Sequence, residues 1–183
     1  MPKVSEEHKE RRREQILDGA RRCFARYGYE GATVARLEEE TGLSRGAIFN
    51  YFPNKAALFV ELAVETSRRV TDIWLNEGFR AVLDAIVHED PDWLAVQFEA
   101  TRRIRTDPDF RDVIEQRERE FEANRPARLE RLRGRVRDDV PVESAAIFLA
   151  SVVNGLALRQ ATEEPMPDLD AIAKLVDEGV APR

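Results

Sequence analysis

A chain of 183 residues with 43% hydrophobic and 35% charged residues is long enough to bury a real core, as one domain or two small ones. Its single cysteine excludes a disulfide framework and a cysteine-rich metal site, and its charged start, MPKVSEEHKERRREQ, lacks the apolar centre of a signal peptide. The net charge of −6 speaks against nucleic acid only as a sum: residues 1–60 balance at +2 and residues 61–183 at −8, a mildly basic head on an acidic body.

Helical periodicity runs throughout without a period-2 strand pattern, so an all-α fold of about nine helices is expected. The first spans residues 6–28, with Ile16, Ala20, Cys23, Phe24 and Tyr27 on one face and Gly28 as its stop. Cys23 reads as a small core hydrophobe, and Lys9 with Arg11 to Arg13 as a solvated helix end or an arm near phosphates. Residues 33–55, TVARLEEETGLSRGAIFNYFPNK, then read as two short helices around a tight turn. Thr33 caps the first, Gly42 stops it in the left-handed conformation, and Ser44 caps a second helix through Tyr51. This layout is that of a DNA-reading helix-turn-helix, and taken alone it is equally that of a plain helical hairpin.

Pro53 breaks the chain and Lys55 opens a fourth helix that runs to about Asn76, with Gly78 as its stop. A fifth helix follows through Phe79, Val82, Leu83 and Ile86. His88-Glu89-Asp90-Pro91-Asp92 reads as a polar turn whose Asp90 or Asp92 caps the sixth helix, Trp93 to Arg105, with a metal site as the alternative. Asp107-Pro108 starts a seventh helix through Leu132, kinked at Pro126. The eighth, about 142–162, is apolar nearly all round and must be buried on more than one side, while the last, about 168–179, presents Leu169, Ile172, Leu175 and Val176. These two can form a four-helix bundle with a second copy across a two-fold axis, or pack within the monomer. The longest apolar run, AAIFLASVV at 145–153, is well short of a membrane span, so a cytoplasmic protein with no membrane partner is expected.

The stretch ILDGARRCFARYGYEGATVARLEEETGLSRGAIFNYFPNKAALF, Ile16 to Phe59, resembles the head of TetR family transcriptional regulators. GARRCFARYGYEGATVARLEE, SRGAIF, RTDPDFR at 105–111 and DVP at 139–141 further resemble the actinobacterial aconitase repressors. The resemblance implies a helix-turn-helix DNA-binding domain over 1–54 and a helical effector-binding and dimerisation domain over 55–183. It implies a homodimeric repressor on a palindromic double-stranded operator, with two recognition helices about 34–36 Å apart. It also implies release by a small effector, in this subgroup a tricarboxylate such as citrate with a divalent ion such as Mg, and no required cofactor. A regulator of other genes with an unrelated hydrophobic effector is the alternative.

Side-chain chemistry then sorts the candidates. Arg45 has the fork that matches guanine O6 and N7, Asn50 can bond a base or a phosphate, and Gly46 and Ala47 allow close approach, Ala47 onto a thymine methyl. Thr33, Tyr51 and Lys55 suit phosphates, with Ser44 placing the helix start among them. For an anionic effector Glu99, Arg102, Arg128 and Asn154 are the candidates, Asn154 equally as a hydrogen bond across dimer helices. No Ser-His-Asp, Cys-His, HExxH, P-loop or GxGxxG constellation is present, so the chain is expected not to be an enzyme. A metal-dependent hydrolase built on His88 with Glu89 or Asp92 is the remote enzyme reading, and a metal ligand set is not otherwise identified.

Overall fold

The computed structural model describes residues 6–123 and 125–182, apart from the side chains of residues 109, 118, 120–122, 125 and 128. The described residues are all-α, in eleven helical segments with no strand. The head holds α1 (Glu6–Gly31), α2 (Val34–Thr41) and α3 (Arg45–Phe49). The body holds α4 (Lys55–Glu77), α5 (Phe79–Val87), α6 (Pro91–Thr101), α7 (Arg103–Thr106), α8 (Pro108–Ala123), α9 (Arg125–Arg133), α10 (Val142–Ala161) and α11 (Leu169–Val180).

Local signals set most boundaries. Regular geometry in α1 breaks at Gly28, whose φ of 68° favours glycine, and the chain runs on as a short helical turn to Gly31. Thr33 accepts the Arg36 N–H, Ser44 the Ala47 N–H and Asn54 the Ala57 N–H, each an N-cap. Asp90 caps α6 ahead of Pro91, and the Asp107 carboxylate accepts the Phe110 N–H at the start of α8. Three elements differ from expectation, one being the expected seventh helix, which is described as α8 to Ala123 and α9 from Arg125. The second helix of the turn motif is regular only to Phe49, because Pro53 disfavours helical geometry at Phe52 and residues 50–52 tighten into a turn on Ile48. The sixth helix divides at Arg102, where the Arg105 N–H bonds the Arg102 carbonyl in a tighter turn.

Two apolar clusters fill the interior. The first joins head to body: Phe24, Tyr29, Leu37 and Ile48 pack with Phe59 and Leu62 of α4, Trp93 and Val96 of α6, and Phe110 of α8. Phe59 lies at its centre, its ring 5.1 Å from Phe24, 5.3 Å from Tyr29, 5.7 Å from Trp93 and 6.0 Å from Phe110, centroid to centroid. Such edge and tilted contacts add to the burial of the rings themselves. Cys23 is fully buried in this cluster, and burial with the nearby Glu40 charge pushes its thiol up to about 11, so it stays protonated and inert.

The second cluster belongs to the body and gathers Phe79, Val82, Leu83 and Ile86 of α5 between α10 and α11. α10 is buried there on one side only, through Ala145, Leu149, Leu156 and Ala157. Its other side leaves Ile147 70%, Phe148 47% and Leu158 47% exposed, and α11 leaves Leu175 68% exposed. By length and composition α10 could cross a membrane, because the helix extends at both ends beyond the apolar run read from the sequence. In this fold its buried side packs on α5 and α6.

Candidate nucleic-acid interface

α1 is the platform on which the turn motif stands. A Cβ at Gly19 would lie 2.7 Å from Thr41 Cα, so α1 and the end of α2 touch backbone to backbone. Gln15 donates to the Thr41 carbonyl at 3.0 Å and Arg22 to the Glu40 carbonyl at 2.8 Å, closing α2's last turn from outside. Thr41 in turn donates to Leu37 O and accepts the Leu43 N–H, while Gly42 takes the left-handed conformation, φ 69° and ψ 20°. The chain then re-enters helix at Ser44, where the Glu38 carboxylate takes the Arg45 N–H at 2.7 Å. That carboxylate already occupies the first N–H of α3, so the start of α3 offers less to a phosphate than its sequence suggests.

Ile48 is the residue α3 turns inward, fully buried beside Leu37. Arg45, Gly46 and Asn50 face solvent, with Ser44 and Thr33, while Ala47 and Tyr51 are half-buried. No ion pair or hydrogen bond engages the Arg45 guanidinium among the described residues, so the fork stands free on an exposed helix with a glycine beside it. This is the geometry a side chain needs to reach a base edge. Phe52 is buried and Phe49 half-buried against the first cluster, so both serve packing.

Lys55 is turned the other way. Its ammonium donates to the Tyr29 carbonyl at 2.8 Å and lies 4.4 Å from the Tyr29 ring centroid, and burial pushes its pKa down. It ties the entry of α4 to the end of α1, a role that a reading by residue type alone misses. The basic start of α1 is likewise partly spent: Lys9 pairs with Glu6, Arg11 with Glu7, and Arg13 with Glu61.

Of the effector candidates, Glu99 and Arg102 stand one turn apart around the end of α6. The Glu99 carboxylate lies 3.3 Å from where a Cβ on Gly28 would stand, at the margin of the head. Arg102 lines an open cleft of about 520 Å³ with Arg105, Thr101 and Thr106. Both hydroxyls donate internally, to Gln97 O and Arg102 O, which leaves the two guanidinium groups as the cleft's anion-directed donors. Asn154 is not with them: it is exposed on α10, on the face of Ile147, Ser151 and Leu158. The side chain of Arg128 lies outside the described residues. The polar turn at 88–92 is a structural joint, its Glu89 paired with Arg21 and Arg69, and no group of three or more metal-ligating side chains occurs among the described residues.

This architecture defines a class. The family profile of bacterial regulatory proteins of the tetR family matches residues 16–62, and that of the BetI-type transcriptional repressor C-terminal region matches residues 66–182. The chain belongs to the TetR family: it is a helix-turn-helix transcriptional repressor, not an enzyme. Among individual relatives it is 47% identical to the HTH-type transcriptional repressor Rv1474c of Mycobacterium tuberculosis, over 98% of both chains. It is 43% identical to the HTH-type transcriptional repressor AcnR of Corynebacterium diphtheriae, over 98% of this chain and 97% of that one. Among solved structures it is similar in fold to Salmonella enterica GusR, with a TM-score of 0.64 at 22% identity over 97% and 98% of the two chains. A TetR regulator from Chloroflexus aurantiacus gives 0.59 at 21% identity, over 94% and 97%.

Proposed function

We propose that the chain works as a homodimer in the cytoplasm, its two α3 helices reading successive major grooves of a palindromic operator. The observation that carries the reading is the free Arg45 fork on the exposed face of α3, with Gly46 and Asn50 beside it and the Ile48 side anchored in the core. Arg45 reads a guanine, Ala47 and Asn50 complete the base contacts, and Thr33, Ser44 and Tyr51 meet the phosphates. Lys55 supports these contacts from behind by fixing α4 to Tyr29. The second copy is carried by α10 and α11: large apolar side chains left 47–70% exposed on two helices of one body are a cost that a two-fold partner removes. Asn154 and Gly155 sit on that face, where the amide can bond its mate and the glycine admits close approach.

For the effector the reading is citrate with a divalent ion, which is what the sequence resemblance to the aconitase repressors implies. The Arg102–Arg105 cleft suits carboxylates, and Glu99, one turn before Arg102, meets the Gly28 turn, so α6 is the element through which occupancy would bear on the head. No protein cage for the ion is built among the described residues, so its ligands would be mainly citrate and water oxygens, with Glu99 the carboxylate at hand. Titrating citrate against the protein–operator complex tests this. Citrate with Mg²⁺ is expected to release the DNA, and Arg102→Gln to blunt the response without weakening operator binding. Retention unchanged by citrate with Mg²⁺ would overturn the assignment.

A further inference from the structure

Glu61 lies in the apolar stretch Ala57-Leu58-Phe59-Val60-Glu61-Leu62-Ala63-Val64 of α4 and is only 4% exposed. A carboxylate in such a place is expensive unless both its oxygens are satisfied by charged donors. Here they are, and by opposite parts of the molecule. Arg13 of α1, in the head, bonds Oε1, and Arg117 of α8, in the body, bonds Oε2. The Arg13 guanidinium also lies 5.9 Å from the centroid of Phe52, the residue that closes the turn after α3. A continuous run of contacts thus leads from α8 through Glu61 and Arg13 to the end of the recognition helix.

Two further bridges cross the same seam. Glu89, between α5 and α6, takes Arg21 of α1 on one oxygen and Arg69 of α4 on the other. Burial pushes its carboxyl up, and the two arginines and the Asp90 N–H outweigh that and hold it below the usual range. Arg103 of α7 pairs with Glu30 at the far end of α1 and with Asp107, its guanidinium 4.6 Å from the Tyr29 centroid. Residues 13 and 21 stand about 12 Å apart on the regular part of α1 at 1.5 Å per residue, and residue 30 lies beyond the Gly28 break, so charge bridges fasten α1 at three separate points. Apolar packing at Phe59 holds head and body together without directional bonds, whereas an arginine–carboxylate pair has a fixed donor geometry. Glu61, buried between two such donors, is therefore an orienting contact whatever its net effect on stability.

We propose that Glu61 is a positioning residue for operator recognition: held between Arg13 and Arg117, it sets the angle of the head on the body and hence the spacing of the two recognition helices. This rests on the two-headed reading above.

The test uses the full-length protein and a set of duplexes that keep both half-sites while the spacer is one or two base pairs shorter or longer, with an isolated half-site as reference. Wild type should prefer one spacer strongly. Arg117→Met, which keeps the length of the side chain far from the DNA face, should lose about tenfold on that spacer and discriminate little among the others, with half-site affinity unchanged. A combined Arg13→Met, Glu61→Leu, Arg117→Met chain replaces the charges by apolar groups and should recover thermal stability while its spacer preference stays flat. A role in stability alone predicts instead that spacer preference returns with the fold. Wild-type spacer preference in Arg117→Met or in the combined variant overturns the proposal while leaving the two-headed reading intact. No spacer preference in wild type overturns the two-headed reading, and this proposal with it.

Discussion

Arg45→Ala is expected to abolish specific operator retention in a gel-shift assay while the protein keeps its oligomeric state and its melting temperature. A bidentate arginine–guanine contact is worth about 1–3 kcal/mol of discrimination, and a two-fold complex makes it twice. The loss is therefore about 2–6 kcal/mol, roughly 30-fold to beyond 10⁴-fold in affinity. Stability should hold because Arg45 is exposed, its backbone N–H still bonds Glu38, and the Ser44 cap is untouched. Lys55→Ala should differ in kind, since its ammonium is spent on Tyr29 inside the protein: it should loosen the α1–α4 joint more than the salt dependence of binding. Specific binding undiminished in Arg45→Ala would mean that α3 is not the base-reading element.

Ile147→Glu is expected to split the dimer without unfolding the chain. In the single chain Ile147 is 70% exposed and a carboxylate there is fully hydrated. At an isologous interface the same change buries one unpaired carboxylate from each copy, and an unpaired buried charge costs about 3–5 kcal/mol. A separated head meets one half-site, so affinity for the whole operator should fall about 10²- to 10⁴-fold, the usual worth of joining two sites. Sedimentation reads the mass and circular dichroism the fold. A helical, dimeric Ile147→Glu protein would show that the exposed face of α10 is not where the copies meet.

Much of this fold was legible because its boundaries are local events. Thr33, Gly42, Ser44, Gly78 and Asp107-Pro108 each act within a turn of their own position, and the structure places them as caps and stops. Amphipathic spacing likewise identified Ile16, Ala20, Cys23 and Phe24 as core. What stayed hidden depends on partners distant in sequence. Lys55 reads as a phosphate ligand by type, yet the direction of its side chain is decided by Tyr29, 26 positions away. Glu61 reads as one charge among many on a long helix, and its role follows from Arg13 and Arg117, 48 and 56 positions away. A signal for it did exist: a single carboxylate inside ALFVELAV must either point to solvent or find cations. α10 was legible as apolar nearly all round, but only the fold separates the face packed on α5 and α6 from the face left exposed.

If two copies of α3 read one palindrome, selection of bound DNA from a genomic or random library by the purified protein at physiological salt should enrich an inverted repeat. Its half-site centres should lie about 10–10.5 base pairs apart or a multiple of that, each half-site carrying the guanine that Arg45 reads. An enriched single half-site without a symmetric mate, or no enrichment above non-specific background, would contradict it.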